Sequence, residues 1–254
     1  MNLLLSSGGN SSLNEEQIIE LKIHIKNLFK GVKSVLFISY AQKKQKEYTD
    51  IIREKWWPLN DVELIGIEEF ENPKEAIINS EGIYVGGGNT FLLTKKLQEK
   101  NLISSLRNVV MNGVPYMGVS AGTNIACPSM MTTNDMPVVM PKSFQTLGLI
   151  DFQINAHYHE GNIWCKDGEG FKMHRGETRA KRISEFHQFN DSPVLGLYEG
   201  SIVRWKDDRG QLLIGDASIF IPNNKPKKIG IGCLLYTSDA ADEGLGVDLG
   251  GRRI

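Results

Sequence analysis

Three cysteines in 254 residues are too few for a disulfide framework. Cys127, Cys165 and Cys233 also lack metal-ligand spacing, so free thiols in a cytoplasmic protein are expected. Charge of one sign is missing too. Lysine and arginine number 29 against 30 aspartates and glutamates, a net charge of −1, which gives no electrostatic footprint for nucleic acid or an anionic membrane. No apolar run approaches the length of a membrane span. The segment Met1 to Gly9 has no basic start, and its apolar run is too short for a signal peptide. Internal repeats and long linkers are absent. What remains is 41% hydrophobic and 23% charged, the balance of a globular domain, with residues 1–232 read as one unit.

Strand-like and helix-like stretches alternate. Leu3 to Ser7, Ser34 to Ser39, Val62 to Ile67, Gly82 to Val85 and Tyr116 to Val119 read as strands, the second apolar throughout where a one-faced strand would alternate. Helices are expected over about Asn14 to Phe29, started by Ser12 with Glu15 and Glu16, and over Gln42 to Trp56 and Pro73 to Asn79, with a further buried helix opening at Phe91. A strand ending near His157 follows, then a polar insert around Lys166 to Gly170 and a helix opening at Gly176. Short strands at Val194 to Leu197, Ser201 to Trp205, Leu212 to Gly215 and Ser218 to Ile221 complete the chain. This order predicts an α/β three-layer sandwich, a mostly parallel sheet with helices on both faces. Ligands of such sheets bind at strand C-termini, where the glycine-rich turns Gly86 to Asn89 and Gly118 to Gly122 both fall.

Ser120 stands between two glycines in Gly118-Val119-Ser120-Ala121-Gly122, the G-x-S-x-G spacing of a nucleophile elbow. A serine on a sharp strand-to-helix turn needs neighbours without a Cβ, and the amide of Ala121 then faces a developing oxyanion. An ordinary Gly-Ser turn is the competing reading. The triple glycine lacks both the G-x-G-x-x-G and the Gly-Lys-Ser/Thr patterns. It is either a tight turn capped by Asn89 or Thr90 or the source of a second oxyanion donor, Gly88. Serine needs a base, and the base an orienting acid. His157 and Asp135 fit those roles, and on spacing alone His159, Asp151 and Glu160 compete. Arg179 is a solvated helix residue or a carboxylate clamp.

The text changes at Cys233. Cys233 to Asp242 and Val247 to Ile254 resemble, in order, the in-frame translation of the two arms of a sequencing adapter. Residues 233–254 are therefore expected to be a non-native, disordered tail in place of the natural C-terminus, and their deletion to leave activity and melting temperature unchanged.

The ordered motifs Gly86-Gly87-Gly88-Asn89-Thr90-Phe91, Gly118 to Asn124, Ala126-Cys127-Pro128, Thr132-Thr133-Asn134-Asp135-Met136-Pro137, Gln153 to His157 and Gly176-Glu177-Thr178-Arg179 resemble those of the peptidase E family, the α-aspartyl dipeptidases of serine peptidase family S51. The resemblance runs from Met1 to about Ile231. It implies a class I glutamine amidotransferase-like fold, no metal or other cofactor, and a small peptide with N-terminal aspartate as substrate for a monomer or homodimer. By motif it implies Ser120 as nucleophile, His157 as base, Asp135 as orienting acid, Gly88 and Ala121 as oxyanion donors, and Arg179 with Asn89 at the substrate. The stretch from His159 to Arg175 departs from the enterobacterial pattern by its length and adds Trp164, Cys165 and His174. A cyanophycinase-like hydrolase of β-linked aspartyl peptides and a non-catalytic binding protein are the rival readings. A glutamine amidotransferase would carry cysteine, not serine, at the elbow.

Overall fold

Apolar residues dominate the first five strands because helices cover both faces of the sheet they form. The structure is a computed structural model, and it describes residues 1–9, 12–161, 164–173, 177–236 and 246–248. In it β1 (Asn2–Ser6), β2 (Ser34–Ile38), β3 (Glu63–Gly66), β4 (Ile83–Val85) and β5 (Tyr116–Val119) lie parallel in the order β1-β5-β4-β2-β3. Successive side chains point to opposite faces. Leu4, Phe37, Tyr84 and Met117 meet Leu21, Ile25 and Leu28 of α1 (Glu15–Leu28) and Ile52, just beyond α2 (Gln45–Ile51). Leu5, Ile38 and Val85 meet Ile77 of α3 (Pro73–Ile78), Leu93 and Leu97 of α4 (Thr90–Glu99), and Leu106 and Val110 of α5 (Ile103–Met111). Each fully buried Leu or Ile is worth about 1.5–3 kcal/mol, so both covers are held by burial rather than by helix propensity.

The helix starts follow from capping chemistry. Asn14 caps α1 in a reciprocal box with Gln17, so the start falls on Asn14, not Ser12. Asn72 with Pro73 opens α3 and Asn89 opens α4.

After β5 comes the single turn α6 (Ala121–Asn124), and the chain then crosses to a second sheet. Its β6 (Gln153–Tyr158) runs parallel to β9 (Val194–Tyr198). Between them lie a hairpin, β7 (Trp164–Asp167) and β8 (Gly170–Met173), and α7 (Arg179–Phe186). The hairpin occupies the stretch expected to be a loop. Gly176 and His174 lie outside the described residues.

The main sheet then grows from β1 by β10 (Ile202–Lys206) and β11 (Arg209–Ile214), both antiparallel, while β12 (Ala217–Phe220) and β13 (Lys227–Ile229) extend the second sheet. A turn of a few residues between β10 and β11 cannot make a parallel crossover, so beyond the parallel β1–β5 the α/β sheet is extended by antiparallel strands.

The expected disordered tail is corrected in its first residues. β14 (Leu234–Tyr236) pairs with β11, Leu235 is fully buried, and Cys233 belongs to the same apolar core. β15 (Gly246–Asp248) pairs with β14. The other tail residues, from 237 on, lie outside the described set. Among the described residues no helix is long and apolar enough to cross a membrane.

Candidate active site

Ser120 joins β5 to α6 with φ 52° and ψ −106°, a left-handed backbone that a non-glycine residue adopts only under constraint. The constraint is visible. Its amide donates to the Ser6 carbonyl at 3.0 Å, and a Cβ on Gly118 would stand 2.6 Å from the Gly122 carbonyl oxygen. The glycines of the motif are thus there for close approach.

His157 is the second strained residue, with φ 56° at a bulge in β6. Its amide donates to Ser7 Oγ at 2.8 Å, and that hydroxyl donates to the Leu197 carbonyl. The bulge turns the ring toward the elbow, and Nε2 lies 2.8 Å from Ser120 Oγ. On its other side Nδ1 contacts Glu199 Oε2, and Ser12 Oγ donates to the remaining carboxylate oxygen at 2.9 Å. The arrangement that satisfies every group has Nδ1–H donating to Glu199 and Nε2 accepting from Ser120.

The sequence reading had Asp135 in the place that Glu199 fills. Among the described residues the bonds of Asp135 go elsewhere than the ring. Its Oδ2 accepts from the Thr90 amide at 2.7 Å, Thr90 Oγ1 at 2.5 Å and Thr133 Oγ1 at 3.2 Å. It sits at the N-terminus of α4, where the helix dipole favours negative charge. Asn89 is likewise engaged: Oδ1 caps Leu92 and Nδ2 donates to the Met136 carbonyl. These bonds pin the 132–137 loop to α4.

Arg179 lies at the first position of α7 and donates to Asn134 Oδ1 at 2.6 Å. Asn134 in turn donates to the Ala156 carbonyl, beside His157. Burial and then the like charge of Arg182 push the Arg179 guanidinium below its ordinary value, and Asp135 opposes them. Among the described residues Arg179 Nε has no hydrogen-bond partner, and a guanidinium is the group whose geometry matches a carboxylate.

Gly88 has φ 137°, and a Cβ there would stand 2.5 Å from the Ala41 carbonyl. Ala121, first residue of α6, has an amide for which the helix offers no acceptor.

The competing residues are accounted for elsewhere. Glu160 accepts from the Tyr198 hydroxyl, His159 Nδ1 accepts from the Gly161 amide, and Asp151 is exposed. Glu199 and Ser7 were missed. The signal for Glu199 was positional: it follows β9 as His157 ends β6, and parallel neighbours bring their C-terminal ends together.

The model of peptidase family S51 matches residues 3–213. The chain belongs to peptidase family S51. A peptidase E of Streptomyces coelicolor is 39% identical over 237 residues, 91% of this chain and 92% of its own length. A probable alpha-aspartyl dipeptidase of Drosophila melanogaster is 41% identical over 220 residues, 85% of this chain and 87% of its own. Among solved structures, a peptidase from an acI-B1 Actinobacterium superposes with a TM-score of 0.63 at 19% identity, over 92% of this chain and 96% of that one. A putative peptidase E of Listeria monocytogenes gives 0.55 at 19% identity, over 84% and 98%. Both share the fold. As a member of family S51 the chain is a peptidase, and neither the binding-protein nor the cyanophycinase reading is favoured.

Proposed function

We propose that this S51 peptidase is a serine-type dipeptidase that releases N-terminal aspartate from Asp-Xaa through an acyl-enzyme. The observation that carries this reading is the 2.8 Å contact of Ser120 Oγ with His157 Nε2, backed by Glu199 on the far ring nitrogen. His157 takes the Ser120 proton as Oγ attacks the carbonyl after aspartate. The amides of Gly88 and Ala121 stabilise the oxyanion. His157 then gives the proton to the leaving amine, and water, activated by the same ring, hydrolyses the ester. Glu199 holds the ring in its tautomer and stabilises the imidazolium.

Arg179, oriented by Asn134, receives the substrate aspartate, while Asp135 and Asn89 keep the 132–137 loop in place around it. The relatives' names support the aspartyl preference. The free thiols of Cys127 and Cys165 support a cytoplasmic setting.

The test is hydrolysis of Asp-Leu beside Glu-Leu, Asn-Leu and N-acetyl-Asp-Leu, with Ser120→Ala as control. Cleavage confined to Asp-Leu and lost in the alanine variant is expected. Equal cleavage of Asn-Leu, or activity surviving Ser120→Ala, would refute the reading.

A further inference from the structure

Ser120 borders two different environments. Toward α4 and α7 lie the polar groups of Asn134, Asp135 and Arg179. Toward α1 and α2 a cavity of about 240 Å³ opens, with Ser120 and Gly87 on its lining. Its walls are apolar and aromatic: Leu21 and Ile25 of α1, Tyr48 and Ile52, and the consecutive tryptophans Trp56 and Trp57, with Lys22 also on its lining.

Two neighbouring residues line one cavity because the chain widens there. Residues Ile52–Trp56 form a π-turn, closed by the Trp57 amide donating to the Ile52 carbonyl at 2.7 Å. Trp57 is fixed by its indole N–H on the Val62 carbonyl and by stacking on Tyr84. Trp56 is 47% exposed and makes the cavity's outer wall. Burial pushes the Tyr48 hydroxyl up to about 12, against the Gly87 amide that bonds to it.

The cavity also lies on the histidine side. Gly8 lines it, and a Cβ on Gly8 would stand 3.2 Å from His157 Cε1. In acyl transfer the leaving amine departs toward the base that protonates it. An aspartate held at Arg179 and a leaving residue released beside His157 must occupy opposite sides of Ser120.

We propose that this cavity is the leaving-group subsite, and that it selects Asp-Xaa dipeptides whose second residue is large and apolar, aromatic above all. The assignment rests on the aspartyl dipeptidase reading. The size fits: an apolar cavity of about 150 Å³ accepts benzene, so 240 Å³ holds a phenylalanine side chain with room for its approach.

The experiment compares kcat/KM for Asp-Phe, Asp-Leu and Asp-Ala in the wild type, Trp56→Ala and the cavity-filling Ile25→Trp, with melting curves for each. The wild type is expected to favour Asp-Phe over Asp-Ala by about tenfold or more, the scale on which apolar pockets discriminate. Trp56 is half-exposed, so Trp56→Ala should fold, and the Phe-over-Ala ratio should fall about fivefold or more. Ile25→Trp, where folded, should bring the ratio to about one or below. Cleavage of all three substrates with equal efficiency, or a ratio untouched by Trp56→Ala, overturns the subsite while leaving the dipeptidase reading intact. Cleavage of none overturns the dipeptidase reading, and the subsite falls with it.

Discussion

Which carboxylate serves His157 is open to a direct test, because the two candidates do physically different things. Glu199→Gln keeps an acceptor for Nδ1–H but removes the charge facing the imidazolium; Glu199→Ala removes both. A hydrogen bond to a charged group is worth about 1.5–3 kcal/mol net, which at 1.36 kcal/mol per tenfold is about 10- to 150-fold in rate. His157 and Glu199 side chains are 39% and 45% exposed, so solvent screening keeps the glutamine variant inside that range. Glu199→Ala also loses the hydrogen bond that fixes the tautomer and should fall further than the glutamine variant.

Asp135→Asn removes charge from the start of α4. The cost is about 0.3–2 kcal/mol of stability, a fall of about 2–4 °C in melting temperature per kcal/mol for a chain of this size. Dipeptide hydrolysis alone does not separate the two, since the charge of Asp135 also acts on Arg179, the proposed aspartate clamp. Labelling by a small serine-directed phosphonylating reagent does, because it needs Ser120, His157 and the orienting acid but not the aspartate clamp. Glu199→Gln should slow labelling by the factor that it takes from kcat. Asp135→Asn should slow it less than about tenfold, the least that the Glu199 variant loses. A labelling defect in Asp135→Asn larger than that in Glu199→Gln would refute the assignment.

Gly88→Ala combines a positive φ with a Cβ that the Ala41 carbonyl blocks. The turn must move, and kcat should drop by about 10²–10³, the loss seen when one oxyanion donor goes, measured on Asp-Leu. Deleting residues 233–254 removes β14 and the fully buried Leu235. At about 1.5–3 kcal/mol for that side chain alone, differential scanning fluorimetry should show a fall of several degrees, and an unchanged melting temperature would refute the packing. Burial holds the His187 ring below its ordinary 6.5, against the Ser192 carbonyl and Asp191, which act to raise it. The folded state therefore prefers the neutral ring. That stability is present above 6.5 and lost as pH falls through the lowered folded value. Melting temperature followed from pH 7 downward should decline less steeply in His187→Gln than in the wild type.

Much of the frame was legible from residue pattern. Apolar runs gave the five parallel strands, and glycine spacing marked the elbow, because both are local consequences of burial and backbone sterics. The helix over Ile103–Met111 was missed, although Ile103, Leu106 and Val110 keep the three- and four-residue spacing of a buried helix face. The hairpin at 164–173 has a mixed composition that carried no strand signal. Glu199 was unreadable for a different reason. It lies 42 residues from His157, and only the parallel pairing of β6 with β9 brings the two together. Asp135 stood in a strong motif, but that motif binds a loop to a helix. Ser12 looked like a helix cap and instead holds Glu199. A short polar residue near a helix start has several uses, and the sequence does not rank them.

The Ser7 hydroxyl ties three distant stretches: its own turn after β1, the His157 amide 150 residues on, and the Leu197 carbonyl 190 residues on. This has a temporal meaning during synthesis. The five parallel strands that carry the nucleophile are complete by Val119, when neither base nor acid has been made. Contacts of such long sequence separation form late, after their loop-closure entropy has been met. A growing chain or an N-terminal fragment thus presents an inert serine, and hydrolytic competence switches on only once the polypeptide beyond Glu199 has docked. The geography of the bonds delays a peptidase's reactivity until its own folding is finished.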